Sequence, residues 1–312
     1  MRYRAAMPVH GIHVNNPSVP ELVAVAQGAE AAGVGTLWLT SGLGPDSLTS
    51  LAVVGARTER IGLGTAIAIA YSRHPLAMIQ QARAIQDVAP GRLQLGIGTS
   101  HKQTVETTWG LPFDRPLGYV REYLEVLLQA RTGELDFDGA RLSAHARLAA
   151  PVHVPLLISA LRPTAYRLAG ELADGAIAWV TPSSFLRDVA GPALRESAAA
   201  HGRPRPRLIG HALALVTDDV AAARRTGIER LVSYTRMPFY QAMFRDAGHP
   251  DARDGIVPDA LADDLVLVGT EERVSDGLRR FTDAGCDEVI VTLLAGSDTD
   301  TDRTFALLGA LG

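Results

Sequence analysis

The feature that most constrains this chain is a repeated alternation in which short, β-branched apolar runs are each followed by a longer stretch with helical spacing. Such alternation is the sequence form of βα units, whose strands lie parallel because a crossover helix returns the chain to the same end of the sheet. The first strand is expected over Ala6–Val14, and its helix over Val19–Ala32, opening near Ser18-Val19-Pro20-Glu21 and stopping at Gly33. Thr36–Thr40, Ile61–Ile69 and Arg92–Gly98 read as strands two to four, with helices over Pro45–Arg57, Pro75–Val88 and Arg115–Gln129. Between Gly133 and Pro155 the rhythm breaks, and Leu135-Asp136-Phe137 and Arg141-Leu142-Ser143 around Asp138-Gly139 read as a surface hairpin. Pro155–Ser159, Gly175–Val180, Leu208–Val216 and Glu288–Leu293 supply strands five to eight. Helices are expected over Thr164–Ala173, Ser183–His201, Asp218–Tyr234, Pro238–Ala247, Glu271–Ala284 and Asp302–Leu311, with a loop or lid from Gly248 to Pro258.

Eight strands that each feed a helix argue for closure into a (β/α)8 TIM barrel rather than an open sheet. No low-complexity linker divides the units, and Gly202–Arg207 is too short to separate domains, so residues 1–312 are expected to form one. A formal net charge of -4 without a concentrated basic run leaves no electrostatic footprint for nucleic acid or anionic lipid. No apolar stretch reaches about 18 residues, and Met1-Arg2-Tyr3-Arg4 opens no signal peptide, so neither a membrane span nor export is expected. Cys286 is the only cysteine; it excludes an intrachain disulfide, fits a reducing cytoplasm and is expected to pack as a small hydrophobe.

In such a barrel the chemistry lies at the C-terminal ends of the strands. The residues to inspect are therefore His13-Val14-Asn15-Asn16, Thr40-Ser41-Gly42, Ala66-Ile67 to Arg73-His74-Pro75, Gly96 to Lys102, Ser159 to Pro163, and Trp179-Val180-Thr181. Gly98-Thr99-Ser100 either offers free amides to a flat ring or an anion, or is a glycine turn that only makes room for a helix. Ala160-Leu161-Arg162 adds amides and a guanidinium able to cradle a phosphate; the alternative is an ordinary helix start with a solvated arginine. His101 follows the glycine turn and titrates near neutrality, which suits proton transfer, although a structural histidine satisfies the same pattern. His74, just before Pro75, is expected to cap or pack. His10 and His13 have opposite parity on one strand, so at most one enters the mouth, and His13 is preferred. No histidine and carboxylate pair has metal-ligand spacing and no Gly-x-Ser-x-Gly elbow is present, so no metal is expected. Trp109 and His13 are candidate substrate contacts, and Ser41, Trp179 and Val180 candidate cofactor contacts.

The block Arg73-His74-Pro75-Leu76-Ala77-Met78-Ile79-Gln80-Gln81-Ala82, followed by Ala89-Pro90-Gly91-Arg92-Leu93-Gln94-Leu95-Gly96-Ile97-Gly98, resembles the luciferase-like monooxygenase superfamily, and within it the branch that uses coenzyme F420. Leu111–Tyr123, Leu168–Trp179 and Leu267–Gly285 agree in order and spacing, so the resemblance covers nearly the whole chain. It implies a non-prolyl cis peptide within Thr65-Ala66-Ile67, placed at Ala66-Ile67, against the deazaflavin ring. It also implies cofactor contacts from Gly98, Thr99 and Ser100, and phosphate contacts from the amides of Ala160, Leu161 and Arg162. His101 stands where related enzymes place a glutamate beside the reacting carbon. Ser41-Gly42 replaces the Asp-His that several relatives carry after strand two, which argues against their alcohol and sugar-phosphate chemistry. The expectation is an F420-dependent oxidoreductase that delivers hydride to an activated C=C or C=N bond of a small substrate, with His101 as proton donor. The alternatives are an FMN-dependent monooxygenase and a non-catalytic flavin-binding protein. Analogy with related barrels adds a possible homodimer.

Overall fold

The computed structural model describes residues 9–14 and 17–312. The expected beginning of the first strand at Ala6, and Asn15-Asn16 beyond it, lie outside them. The strands are β1 (Val9–Val14), β2 (Thr36–Leu39), β3 (Gly62–Thr65), β4 (Ala68–Ile69), β5 (Leu93–Gly98), β6 (Glu134–Asp138), β7 (Ser143–Arg147), β8 (Leu156–Ser159), β9 (Gly175–Ile177), β10 (Arg207–Val216), β11 (Val266–Gly269) and β12 (Glu288–Leu293). Parallel pairing runs β1-β2-β3-β5-β8-β9-β10-β12 and returns to β1, closing a ring of eight strands. The (β/α)8 barrel is therefore the fold, with all eight C-terminal strand ends at one mouth. β6 and β7 form the expected hairpin, with Asp138 opposite Ser143.

Local chemistry explains most helix ends. Ser18 and Glu21 form a reciprocal capping box, and Asp46 and Thr270 cap the helices that follow them. His74 caps the helix Pro75–Val88 by accepting the Leu76 N–H. Several elements differ from the sequence reading, among them the unanticipated helix Asp259–Leu265. The third strand is split into β3 and β4 by a cis peptide at Ala66-Ile67, the position the family resemblance implied. The expected helix Ser183–His201 passes through a wide π turn at Leu186–Ala190, because Pro192 has no N–H with which to continue a regular ladder. β11 was not anticipated: β10 is ten residues long, so its start pairs with β9 and its end is left free to pair with β11 outside the ring.

Alternation along the strands creates two apolar layers. Leu37 and Leu39 join the cluster beneath the helices, whereas Trp38 between them joins Leu157, Ile177, Ile209 and Ile290 inside the ring. Trp38 lies flat against two neighbouring strands that carry glycine beside it. A Cβ on Gly64 would meet its ring at 2.3 Å, and one on Gly11 at 2.5 Å. The indole Nε1–H donates to the buried Glu288 carboxylate at 2.7 Å, and Arg207 binds the other oxygen at 2.6 Å. Glu288 and Arg207 begin β12 and β10, so this group plugs the end opposite the mouth. Burial raises the Glu288 pKa despite the guanidinium beside it.

Arg207→Ala should cost about 3 kcal/mol near pH 8, because it strips the counter-ion from a buried carboxylate. Less should be lost near pH 5, where Glu288 can take up a proton; urea denaturation at both pH values is the check. A second acid response follows from the buried histidines. His10 is held down to about 4, His13 to about 3 and His211 well below the ordinary 6.5, all chiefly by burial. Below pH 6.5 the unfolded chain binds protons that the folded chain refuses. Stability should therefore fall with pH by up to about 1.4 kcal/mol per pH unit for each histidine. A urea midpoint unchanged between pH 7 and pH 5 would contradict this.

Candidate active site

The mouth is built by turns in which side chains lock one strand end to the next. Thr65 Oγ1 donates to the Gly96 carbonyl at 2.7 Å, and the Ser41 amide donates to Ile67 O at 3.0 Å, so β2, β3 and β5 are tied around the cis peptide. Ser41 Oγ pairs with Ser47. At Gly98 a Cβ would come within 2.3 Å of Ser159 Oγ, so glycine there permits the close approach of β5 and β8. Ser100 (φ 61°) and Val180 (φ 49°) are non-glycine residues in the left-handed region, and both sit just beyond strand ends. That backbone is most costly for a β-branched residue, and residues held in it concentrate at ligand sites.

A cavity of about 730 Å³ opens between the Thr99–Gln103 turn, the Ser159–Arg162 turn and the helix Pro238–Asp246. Its apolar wall includes Phe113, Leu117, Val120, Met237 and Phe239. A shallower surface hollow of about 510 Å³ lies at Asp46, Arg73 and Gln81, whose side chains bond one another. The larger cavity has polar capacity left over. Arg162 pairs with Asp246 at 2.8 Å through Nη2, while its Nη1 is buried without a partner among the described residues. The Leu161 and Arg162 amides likewise have no partner among the described residues. Ala160 departs from expectation: its N–H is consumed by Ile177 O at 2.9 Å, a bond that holds the turn to β9, so it is not available to a phosphate.

His101 lines this cavity, with its ring 6.3 Å from Tyr240. It is solvent-accessible, yet the surrounding walls lower its pKa below the ordinary imidazole value, leaving it neutral at pH 7. Thr99, Ser100, Ala160, Leu161, Arg162 and Trp179 share the lining. Trp109 does not: it follows the helical turn Thr104–Thr108, whose Glu106 and Thr107 reach the lining, and is itself 38% exposed. Ser41, Thr65, Ala66, Ile67, Gly98 and Val180 are not among the lining residues; the Ser41 and Ala66 amides and Thr65 Oγ1 bond neighbouring strand ends instead.

A buried polar chain crosses the mouth. His211 Nε2 lies 2.8 Å from Thr292 Oγ1, Thr292 Oγ1 lies 2.9 Å from His13 Nδ1, and His13 Nε2 lies 2.9 Å from Thr40 Oγ1. Trp179 stacks on His211 with centroids 3.6 Å apart and meets His13 edge-on at 5.0 Å. Its Nε1–H donates to Tyr234. His13 thus enters the mouth, and His10, on the opposite strand face, does not. His211 and Thr292 were not among the residues selected from sequence. The available signal for both was a polar side chain inside an apolar run of a strand.

The luciferase-like monooxygenase family model matches residues 4–288. A Mycobacterium tuberculosis protein that carries a provisional name as a coenzyme F420-dependent oxidoreductase is 30% identical, over 89% of this chain and 90% of its own. The F420-dependent glucose-6-phosphate dehydrogenase of Nocardia farcinica is 29% identical over 80% of this chain and 78% of its own. The coenzyme F420-dependent tetrahydromethanopterin reductase of Methanopyrus kandleri superimposes with a TM-score of 0.80 at 21% identity, covering 97% of this chain and 98% of that one, a likeness of fold. With the closed barrel, the cis peptide and a match over most of its length, the chain belongs to the luciferase-like monooxygenase family.

Proposed function

We propose that the cavity binds coenzyme F420 and that the protein transfers a hydride between this cofactor and a small organic substrate, with His101 as the proton partner. The observation that carries the reading is the unpartnered, buried Nη1 of Arg162 in a turn that also keeps two free amides. A buried donor without an acceptor is costly unless a ligand supplies one, and a phosphate matches a guanidinium flanked by amides. The residues therefore fit the phosphate of the cofactor side chain, and the names carried by the sequence relatives agree. When bound, the deazaflavin would supply a two-electron hydride donor or acceptor with carbon at the position where flavin activates oxygen.

The chain's own part is positioning, water exclusion and proton handling. Asp246 orients Arg162 through the ion pair, and the apolar wall of Phe113, Leu117 and Met237 keeps water from the reacting groups. Reduction of an activated C=C or C=N bond requires a proton beside the hydride, and His101 holds it at an imidazole nitrogen. Because burial lowers its pKa, the proton-loaded form is populated at a lower pH than for an ordinary imidazole. In the reverse direction the neutral ring accepts the proton at pH 7.

Anaerobic and aerobic titration with F420 and with FMN, oxidised and reduced, tests the reading. F420 should bind more tightly and the reduced complex should take up no oxygen; preference for FMN with oxygen consumption would overturn it. Arg162→Ala should weaken F420 binding about tenfold or more, as expected for a charged hydrogen bond. Reductive turnover should rise as pH is lowered below 6.5. His101→Ala should lower turnover by about 10²-fold or more and abolish that rise while F420 affinity stays constant. Unchanged turnover would remove His101 from the reaction.

A further inference from the structure

The buried chain across the mouth has a single proton order that satisfies every member. The Val180 backbone N–H, which can only donate, points at His211 Nδ1 at 3.3 Å. That nitrogen must accept, so the neutral ring carries its proton on Nε2 and donates to Thr292 Oγ1. The Thr292 hydroxyl is buried, and His13 Nδ1 is the acceptor within reach of its hydrogen. His13, whose Nδ1 is thereby used as an acceptor, carries its proton on Nε2 and donates to Thr40 Oγ1. The Thr40 hydrogen then goes to the Ala66 carbonyl at 2.7 Å. Reversing His13 would leave that carbonyl without this hydrogen and the buried Thr292 hydroxyl without an acceptor.

Unlike the rest of the chain, Thr40 is exposed at the end of β2. Its hydrogen and one lone pair are committed, and the second lone pair has no partner among the described residues. The geometry points to Thr40 as an acceptor-only site at the barrel mouth, its polarity imposed by His13 and selecting a substrate group that carries an O–H or N–H. An alcohol, amine or iminium N–H meets this condition, whereas a ketone or ester oxygen in the same place faces a lone pair. His13 is a positioning residue here, since it acts through Thr40. That a substrate is what meets Thr40 rests on the function proposed above; the proton order does not.

Two measurements test it. In protein labelled with ¹⁵N-histidine and assigned with His13→Gln and His211→Gln, long-range ¹H–¹⁵N correlation should show both rings protonated at Nε2 and bare at Nδ1. A proton on Nδ1 of either ring overturns the order, whether or not F420 binds. Cyclohexanol and cyclohexanone, matched in shape, are then titrated into the protein with and without F420 and followed by protein NMR. The alcohol should bind about three- to tenfold more tightly. That preference should survive Thr40→Ser and disappear in Thr40→Val. Equal affinity for the two probes, or binding of neither, overturns the donor selection. Failure to bind F420, with tautomers and alcohol preference as stated, would defeat the proposed function and leave the proton order and the donor selection at Thr40 standing.

Discussion

Closing eight parallel strands leaves a narrow interior that must be filled by alternate side chains, and every other feature of the barrel follows from how this filling is done. Trp38 is the largest residue inside the ring. It fits because Gly11 and Gly64, on the strands to either side, carry no Cβ where its ring lies. Its one polar atom is satisfied by Glu288, whose charge is in turn met by Arg207. A dry, plugged base lets the opposite end be irregular without losing the ring.

At that opposite end the packing logic changes from apolar to directional. The strand ends are joined by hydrogen bonds from Thr65, Ser41 and the His13 chain, and the backbone takes left-handed turns at Ser100 and Val180. The left-handed Val180 is held by the N–H that donates to His211, and the same histidine stacks on Trp179, which lines the cavity. A buried network of this kind rigidifies a site when every member is paired. The surplus capacity of Arg162, Leu161 and Thr40 lies at the mouth beside this paired network.

The residues of the cavity divide by how they could be read. Glycine turns, a histidine after a strand and a guanidinium at a helix start are local signals, and Thr99, Ser100, His101, Leu161 and Arg162 do line the cavity. The Ala160 amide was misread because whether an amide is free depends on a partner strand: the Ile177 carbonyl, 17 positions away in the chain, accepts its hydrogen bond. Trp109 is not among the lining residues, and an aromatic residue after a strand carries no mark of which way its helical turn faces. His211 and Thr292 lie 81 positions apart and come together only when β10 and β12 pair.

The sequence by itself determined the order of eight strands, the hairpin insertion and the end of the barrel at which chemistry sits, because periodicity and turn residues act over a few neighbours. It also carried the family likeness and the location of the cis peptide. Only the tertiary structure decided which amides remain free, which strand completes the edge of β10, and which way each proton points along the chain from His211 to Ala66. Those outcomes depend on hydrogen-bond partners distant in the chain, and a donor's partner is defined by the closed ring rather than by the residues beside it.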